Sequence, residues 1–189
     1  MYVMQSSGSP PFASAKKWGA LSETDAGWNL VDVNGDGLPD IIYLNSVGKF
    51  IVLLNTGTAF KAESIWGTQV DNPWEGYALA DVNGDGLPDI VYDSLDANGN
   101  YTGIMVLINT GSSFKPARKF GSRKYPFSSG TFLMADVNGD GLFDFVYDAL
   151  VGTNHQIEVV PAGSTATILF DGVASDLMSS ATNGIGGTY

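Results

Sequence analysis

The string Asp-Val-Asn-Gly-Asp-Gly-Leu-Pro-Asp occupies positions 32–40 and returns letter for letter at 81–89, and a third copy at 136–144 differs only in having Phe143 for proline. The first aspartates of the copies lie 49 and 55 residues apart. A repeat of that length is one supersecondary unit that cannot bury its apolar face alone, so neighbouring units must stack. Two further markers keep the rhythm. An aromatic-Gly pair precedes each string, at Trp18-Gly19, Trp66-Gly67 and Phe120-Gly121, with a phenylalanine six residues before each (Phe12, Phe60, Phe114). Asn-Thr-Gly follows at 55–57 and 109–111.

Between the markers the chain reads as short strands. One unit runs Gly76–Ala80, the Asp loop, Ile90–Asp93, a turn, Ile104–Ile108, the Asn-Thr-Gly turn and Ser113–Phe120. That is the four-strand scale of a propeller blade. Both faces of the strand after each loop are apolar (Ile41-Ile42-Tyr43, Ile90-Val91-Tyr92, Phe145-Val146-Tyr147). Successive strand residues point to opposite faces, so these sheets should be covered on both sides. No stretch has sustained helical periodicity. The expected fold is all-β, about three four-stranded propeller blades forming part of a larger propeller. Residues 1–20 read as the last strand of a preceding blade, 21–170 as three blades, and 171–189 as a Gly-rich linker. Three blades are fewer than the four that close the smallest ring. The expectation is therefore a fragment of a longer protein, or a ring completed by further copies.

The loop itself carries chemistry. Oxygen-bearing side chains fall at its positions 1, 3, 5 and 9, position 7 can offer a carbonyl, and Gly at position 6 permits a sharp turn. Hard oxygen donors at this spacing suit calcium; magnesium, which wants a tighter octahedron, comes second. The expected ligands are Asp32, Asn34, Asp36, the Leu38 carbonyl and Asp40 in the first loop. They are Asp81, Asn83, Asp85, Leu87 and Asp89 in the second, and Asp136, Asn138, Asp140, Leu142 and Asp144 in the third. Position 12 is a tyrosine (Tyr43, Tyr92, Tyr147) inside an apolar strand rather than the glutamate of an EF-hand. The plain alternative is an Asp-Gly turn held by Asx hydrogen bonds. Against it stand three carboxylates within nine residues, three times over, whose repulsion calls for a cation. About three structural Ca²⁺ are expected.

Composition removes other classes. With 9 Lys+Arg against 20 Asp+Glu the formal charge is -11, which disfavours a nucleic-acid backbone or an anionic membrane surface. No cysteine is present, so thiol and iron–sulfur chemistry are excluded, and His155 is the only histidine. No apolar run approaches the ~20 residues of a spanning helix. The opening residues lack the order of a signal peptide. Outside the loops, Glu23, Glu63, Glu75, Glu158, Asp93 and Asp148 offer no acid–base pair recognisable by spacing, so no enzyme activity is expected. Five basic residues within 115–124 (Lys115, Arg118, Lys119, Arg123, Lys124) read as a solvated strand and loop. Trp18 and Trp66, at equivalent repeat positions, read as blade packing. Trp74, in the unrepeated stretch 71–76, is the better candidate for stacking on a sugar or a partner.

The aromatic-Gly pairs and the three Asp loops resemble the FG-GAP/VCBS repeats of integrin-α-like propellers over residues 12 to about 170. The third repeat departs from the pattern, with Pro161-Ala162-Gly163 in place of Asn-Thr-Gly. The segment from Asp176 to Tyr189 resembles the stretch that follows the propeller in SpvB-like and Tc-toxin B-component proteins, where an RHS-type shell begins. That resemblance implies a secreted or cell-surface docking or gating module, partnered by another protein or by other domains of the same parent chain. A carbohydrate-binding or adhesin propeller, or an auxiliary domain of a secreted enzyme, is the alternative.

Overall fold

The computed structural model describes residues 1–6, 8, 12–23, 27–69, 76–124, 127–162 and 168–170. Trp74 and residues 171–189 lie outside them. The described secondary structure is all β. Among these residues no helix is long and apolar enough to cross a membrane.

A short pair, β1 (Tyr2–Val3) and β2 (Lys16–Lys17), comes first. The first blade is β3 (Trp28–Val31), β4 (Asp40–Leu44), β5 (Lys49–Leu53) and β6 (Ser64–Thr68). The second is β7 (Tyr77–Ala80), β8 (Asp89–Leu95), β9 (Tyr101–Leu107) and β10 (Arg118–Gly121). The third is β11 (Phe127–Ala135), β12 (Asp144–Val151), β13 (Asn154–Val160) and β14 (Ile168–Phe170). Each blade is an antiparallel meander with its strands side by side in chain order. The Asp loop always joins a blade's first and second strands. The third blade keeps four strands although it lacks Asn-Thr-Gly.

The blades stack face to face, which explains the strands that are apolar on both sides. Val33, Ile42, Phe50, Val52 and Trp66 of the first blade pack with Ile90, Tyr92, Leu107 and Phe114 of the second. The other face of the second blade, with Val82, Val91, Ile104 and Val106, packs with Phe145, Tyr147, Ala149 and Val160 of the third. Ile41, Tyr43, Ile51 and Leu53 on the first blade's other face are covered by Met1, Leu21 and Phe60. Each fully buried side chain of this kind contributes about 1.5–3 kcal/mol.

The aromatic-Gly pairs are the joints of the stack. The Trp18 and Phe60 rings lie 5.9 Å apart at 58°, and Trp66 and Phe114 repeat the same distance and angle. Phe60 N–H donates to Trp18 O at 2.9 Å, and Phe114 N–H to Trp66 O at 2.7 Å. The glycine is needed because the next blade leaves no room for a side chain. A Cβ on Gly67 would sit 3.1 Å from Leu107 Cδ2 and 3.1 Å from Phe114 Cβ, and one on Gly121 would sit 2.8 Å from Val160 Cγ1.

The sequence reading placed only one strand in residues 1–20. The structure adds its partner, β1, paired antiparallel with β2. The fourth strand of the second blade is also shorter than Ser113–Phe120, because Phe114 makes an isolated bridge to Asn109 before β10 begins.

Overpacking of a closed contact typically costs about 1–3 kcal/mol. Gly67→Ala and Gly121→Ala should each lower stability by that amount in urea unfolding. Gly76→Ala, with nothing among the described residues within 4 Å of its Cβ, should change it by less than about 0.5 kcal/mol.

Candidate metal centres

The three loops fold alike. In the first, Asp32 Oδ1 accepts N–H bonds from Gly35 at 2.8 Å and Asp36 at 3.2 Å, and Oδ2 accepts from Gly37 at 2.7 Å. Asn34 Oδ1 accepts from Asp36 N–H at 2.9 Å, and Asp36 Oδ1 from Leu38 N–H at 2.9 Å. Asn34 Nδ2 donates to Asp36 Oδ2 at 2.9 Å. The second loop repeats this through Asp81, Asn83 and Asp85. The third repeats it through Asp136, Asn138 and Asp140. Two glycines per loop are left-handed, Gly35 at φ 77° and Gly37 at φ 84° in the first. The sequence reading assigned a turn role only to the second of these. The first also lies under the neighbouring loop: a Cβ on Gly35 would meet Leu87 Cδ2 at 3.2 Å, and one on Gly84 would meet Leu142 Cδ2 at 3.3 Å.

The position-9 aspartates differ from the others. Asp40, Asp89 and Asp144 open the second strand of their blades and are fully buried. Asp40 Oδ2 accepts from Val33 N–H at 3.2 Å and Oδ1 from Asn55 N–H at 2.7 Å. Asp89 takes Val82 and Asn109 the same way, and Asp144 takes Val137 and Ala162. Ala162 shows why losing Asn-Thr-Gly does not break the third blade: the bond needs only a backbone N–H. Where the asparagine is kept it does more, since Asn109 Nδ2 donates at 2.8 Å to Val33 O in the preceding blade.

Burial pushes the Asp89 carboxyl up to about 6, with the nearby Asp85 and Asp81 charges adding and the Asn109 and Val82 N–H bonds opposing. Asp40 is raised chiefly by burial, with Asp36 and Asp32 adding. In Asp81 burial also acts upward, but N–H bonds from Gly86, Gly84, Asn83 and Asp85 outweigh it and hold the group below its ordinary value.

The donor set suits a hard divalent cation, being made of carboxylate, amide and carbonyl oxygens only. Each carboxylate oxygen can accept more than one partner, so the bonds above leave lone pairs for an ion. The loops are nonetheless self-satisfied as they stand. Among the described residues no three acidic, histidine or cysteine groups are gathered closely enough to form a ready cage. An ion would have to draw the first, third and fifth side chains inward, around the buried ninth.

Some residues read as solvated or unremarkable are engaged. Arg123, counted with the basic run, has a buried side chain: its Nε lies 3.1 Å from Asp93 Oδ2, and its guanidinium sits 3.8 Å from the centre of the Tyr101 ring. Tyr147 O–H donates to the buried Glu158 and accepts from Lys124 N–H at 3.1 Å. Tyr43 O–H donates to Glu63 Oε1 at 2.8 Å, which also accepts from Ser22 N–H at 2.6 Å. In both blades a second-strand tyrosine fastens the chain that enters the blade. His155 is half exposed, with Nδ1 3.2 Å from Asp148 Oδ2.

Residues 32–92, which hold the first two loops, match the FG-GAP-like repeat. None of the curated proteins matches the chain. Among solved structures it is similar to an Agrocybe aegerita lectin described as recognising non-reducing terminal N-acetylglucosamine, with 21% identity and a TM-score of 0.66 over 90% of this chain and 45% of that one. It is also similar to the Photorhabdus luminescens Tc holotoxin pore, with 19% identity and a TM-score of 0.56 over 86% of this chain and 8% of that one. The chain thus spans less than half the length of either. The shared feature is the β-propeller architecture.

A carboxyl raised from 3.8 to about 6 in the folded chain makes the native state bind a proton that the unfolded state releases. In chelator, the stability Asp89 adds is therefore complete below pH 3.8 and is lost as pH rises through about 6. The unfolding midpoint should fall over that window, and Asp89→Asn should flatten the slope.

Proposed function

We propose, starting from a chain that carries FG-GAP-like repeats on β-propeller blades, that it is a calcium-stabilised interaction module without catalytic activity of its own. Each Asp loop would hold one Ca²⁺: by Asp32, Asn34, Asp36, Asp40 and the Leu38 carbonyl in the first blade, and by the equivalent residues in the others. The observation that carries the reading is the recurrence of one acidic loop, with one hydrogen-bond pattern, at the same corner of three stacked sheets. Bound calcium would offset the mutual repulsion of three carboxylates and brace the turn between a blade's first two strands. The ions are structural, and the loops and sheet edges are the working surface for a protein partner or for other domains of a parent chain. The likeness to the Tc holotoxin pore supports a docking or gating role within a larger secreted protein of that kind. The charge of -11 argues against a nucleic-acid partner.

A second reading, glycan binding, draws on the likeness to the Agrocybe aegerita lectin and on Trp74. Binding to glycans ending in N-acetylglucosamine, lost in Trp74→Ala, would favour it over the protein-docking role.

Asp85→Asn keeps the oxygen that accepts Leu87 N–H at 2.9 Å but removes a charge and the acceptor of one exposed bond, from Asn83 Nδ2 at 3.0 Å. It keeps the main-chain turn and weakens the ion site. Millimolar calcium should raise the wild-type melting temperature by several degrees, as ligand linkage requires. Asp85→Asn should melt near wild type in chelator and gain less from calcium. A wild-type melting curve indifferent to both calcium and chelator would refute the metal role.

A further inference from the structure

The first two Asp loops are the same nonapeptide, so differences in how they hold an ion come from their surroundings. Asn109 joins those surroundings. It is buried, at 2% exposure. Its N–H donates to Asp89 Oδ1 at 2.8 Å and its Nδ2 to Pro88 O at 3.0 Å, so it grips the end of the second loop twice. The same Nδ2 donates at 2.8 Å to Val33 O in the first loop. Oδ1 accepts from Gly111 N–H at 2.9 Å. Carbonyls cannot donate, so only this orientation of the amide pairs all of its groups.

Val33 stands between Asp32 and Asn34, two expected ligands of the first loop. It is fully buried, and its N–H is held by Asp40 Oδ2 at 3.2 Å. Its carbonyl and the Asn34 N–H belong to one planar peptide, so holding Val33 O sets the direction in which Asn34 leaves. Leu87 makes a second link. Its carbonyl is an expected ligand of the second loop, while its side chain lies against the first: a Cβ on Gly35 would meet its Cδ2 at 3.2 Å. The second and third loops are joined differently. Ala162 stands where Asn109 does, with its N–H on Asp144 Oδ1 at 2.9 Å, and its methyl group can donate no bond. Instead Phe143 N–H donates to Asp81 O at 3.2 Å, a bond that Pro39 and Pro88 cannot make at the same loop position.

We propose that Asn109 makes calcium binding at the first two loops cooperative, an ion held by either loop favouring the other through this amide. The inference rests on the calcium reading above and deepens it. An ion in the second loop would fix Asp89, and with it the Asn109 side chain. The first loop then closes from a Val33–Asn34 peptide already held in place, which lowers the ordering cost of binding its own ion. Linkage makes the effect reciprocal: an ion in the first loop favours the second by the same factor. The coupling that Asn109 carries is confined to this pair, because the third loop meets the second without a side-chain amide.

The test is a calcium titration of the full chain carrying Asp140→Asn, followed by native mass spectrometry. That substitution weakens the third site; it keeps the oxygen that accepts Leu142 N–H and loses only the exposed bond from Asn138 Nδ2. Two loops of one sequence remain. A coupling of about fivefold would leave about a third of the chains singly loaded at half saturation, where independent sites leave about half or more. Adding Asn109→Ala, which copies Ala162 and keeps the N–H on Asp89, should raise the singly loaded share to about half. Asn109→Ser, which keeps an oxygen for Gly111 N–H, should do the same and replaces the alanine variant if that chain fails to fold by circular dichroism. Two ions bound independently before Asn109 is changed would overturn the coupling and leave the calcium reading standing. Cooperativity that survives both Asn109 substitutions would also overturn it, since the coupling would then run through folding of the chain as a whole. A chain that binds no calcium would sink both.

Discussion

Each blade is gathered around one buried aspartate. Asp40, Asp89 and Asp144 are fully buried, and each binds two backbone N–H groups, one from the loop and one from the exit of the third strand. A single side chain therefore ties the first turn, the second strand and the third strand together. Removing it would leave two buried donors unsatisfied, at about 1–3 kcal/mol each. The same carboxylate is the electrostatic weak point, because burying a charge is costly unless something opposes it. The backbone donors oppose it in part, while the acidic neighbours in the loop work the other way, and a divalent cation would remove that conflict.

From this bracket the rest of the stack follows. Fixing the loop fixes where the second strand starts and hence which of its residues face each neighbour. Ile41 and Tyr43 then point to one side and Ile42 to the other. The loops also touch one another, Leu87 against Gly35 and Leu142 against Gly84, and Asn109 reaches back to Val33 O. Position is thus passed from blade to blade along the loop side as well as through the apolar faces. At the aromatic-Gly joints the close approach depends on a missing side chain.

The blade architecture was legible because the markers repeat and because period-two strands apolar on both faces admit few packings. The joint role of Trp18 and Trp66 was legible for the same reason. Other features depend on partners distant in sequence. Arg123 looked like part of a solvated basic run because Asp93, its partner, lies on β8, thirty residues earlier. β1 is only two residues long, too short to show a period. The fold also divides work among loop positions that look alike in the sequence. The ninth aspartate looks like one more loop ligand, yet it lies inside a strand and holds backbone. The fourth-position glycine looks like a spacer, yet it adopts φ near 77° and lies beneath the next loop.

Native mass spectrometry after equilibration with millimolar calcium tests the central claim most directly. The account predicts a chain carrying three calcium ions, all lost on chelation, and a Asp85→Asn chain that carries fewer. A chain that stays folded and metal-free at that calcium concentration would contradict it.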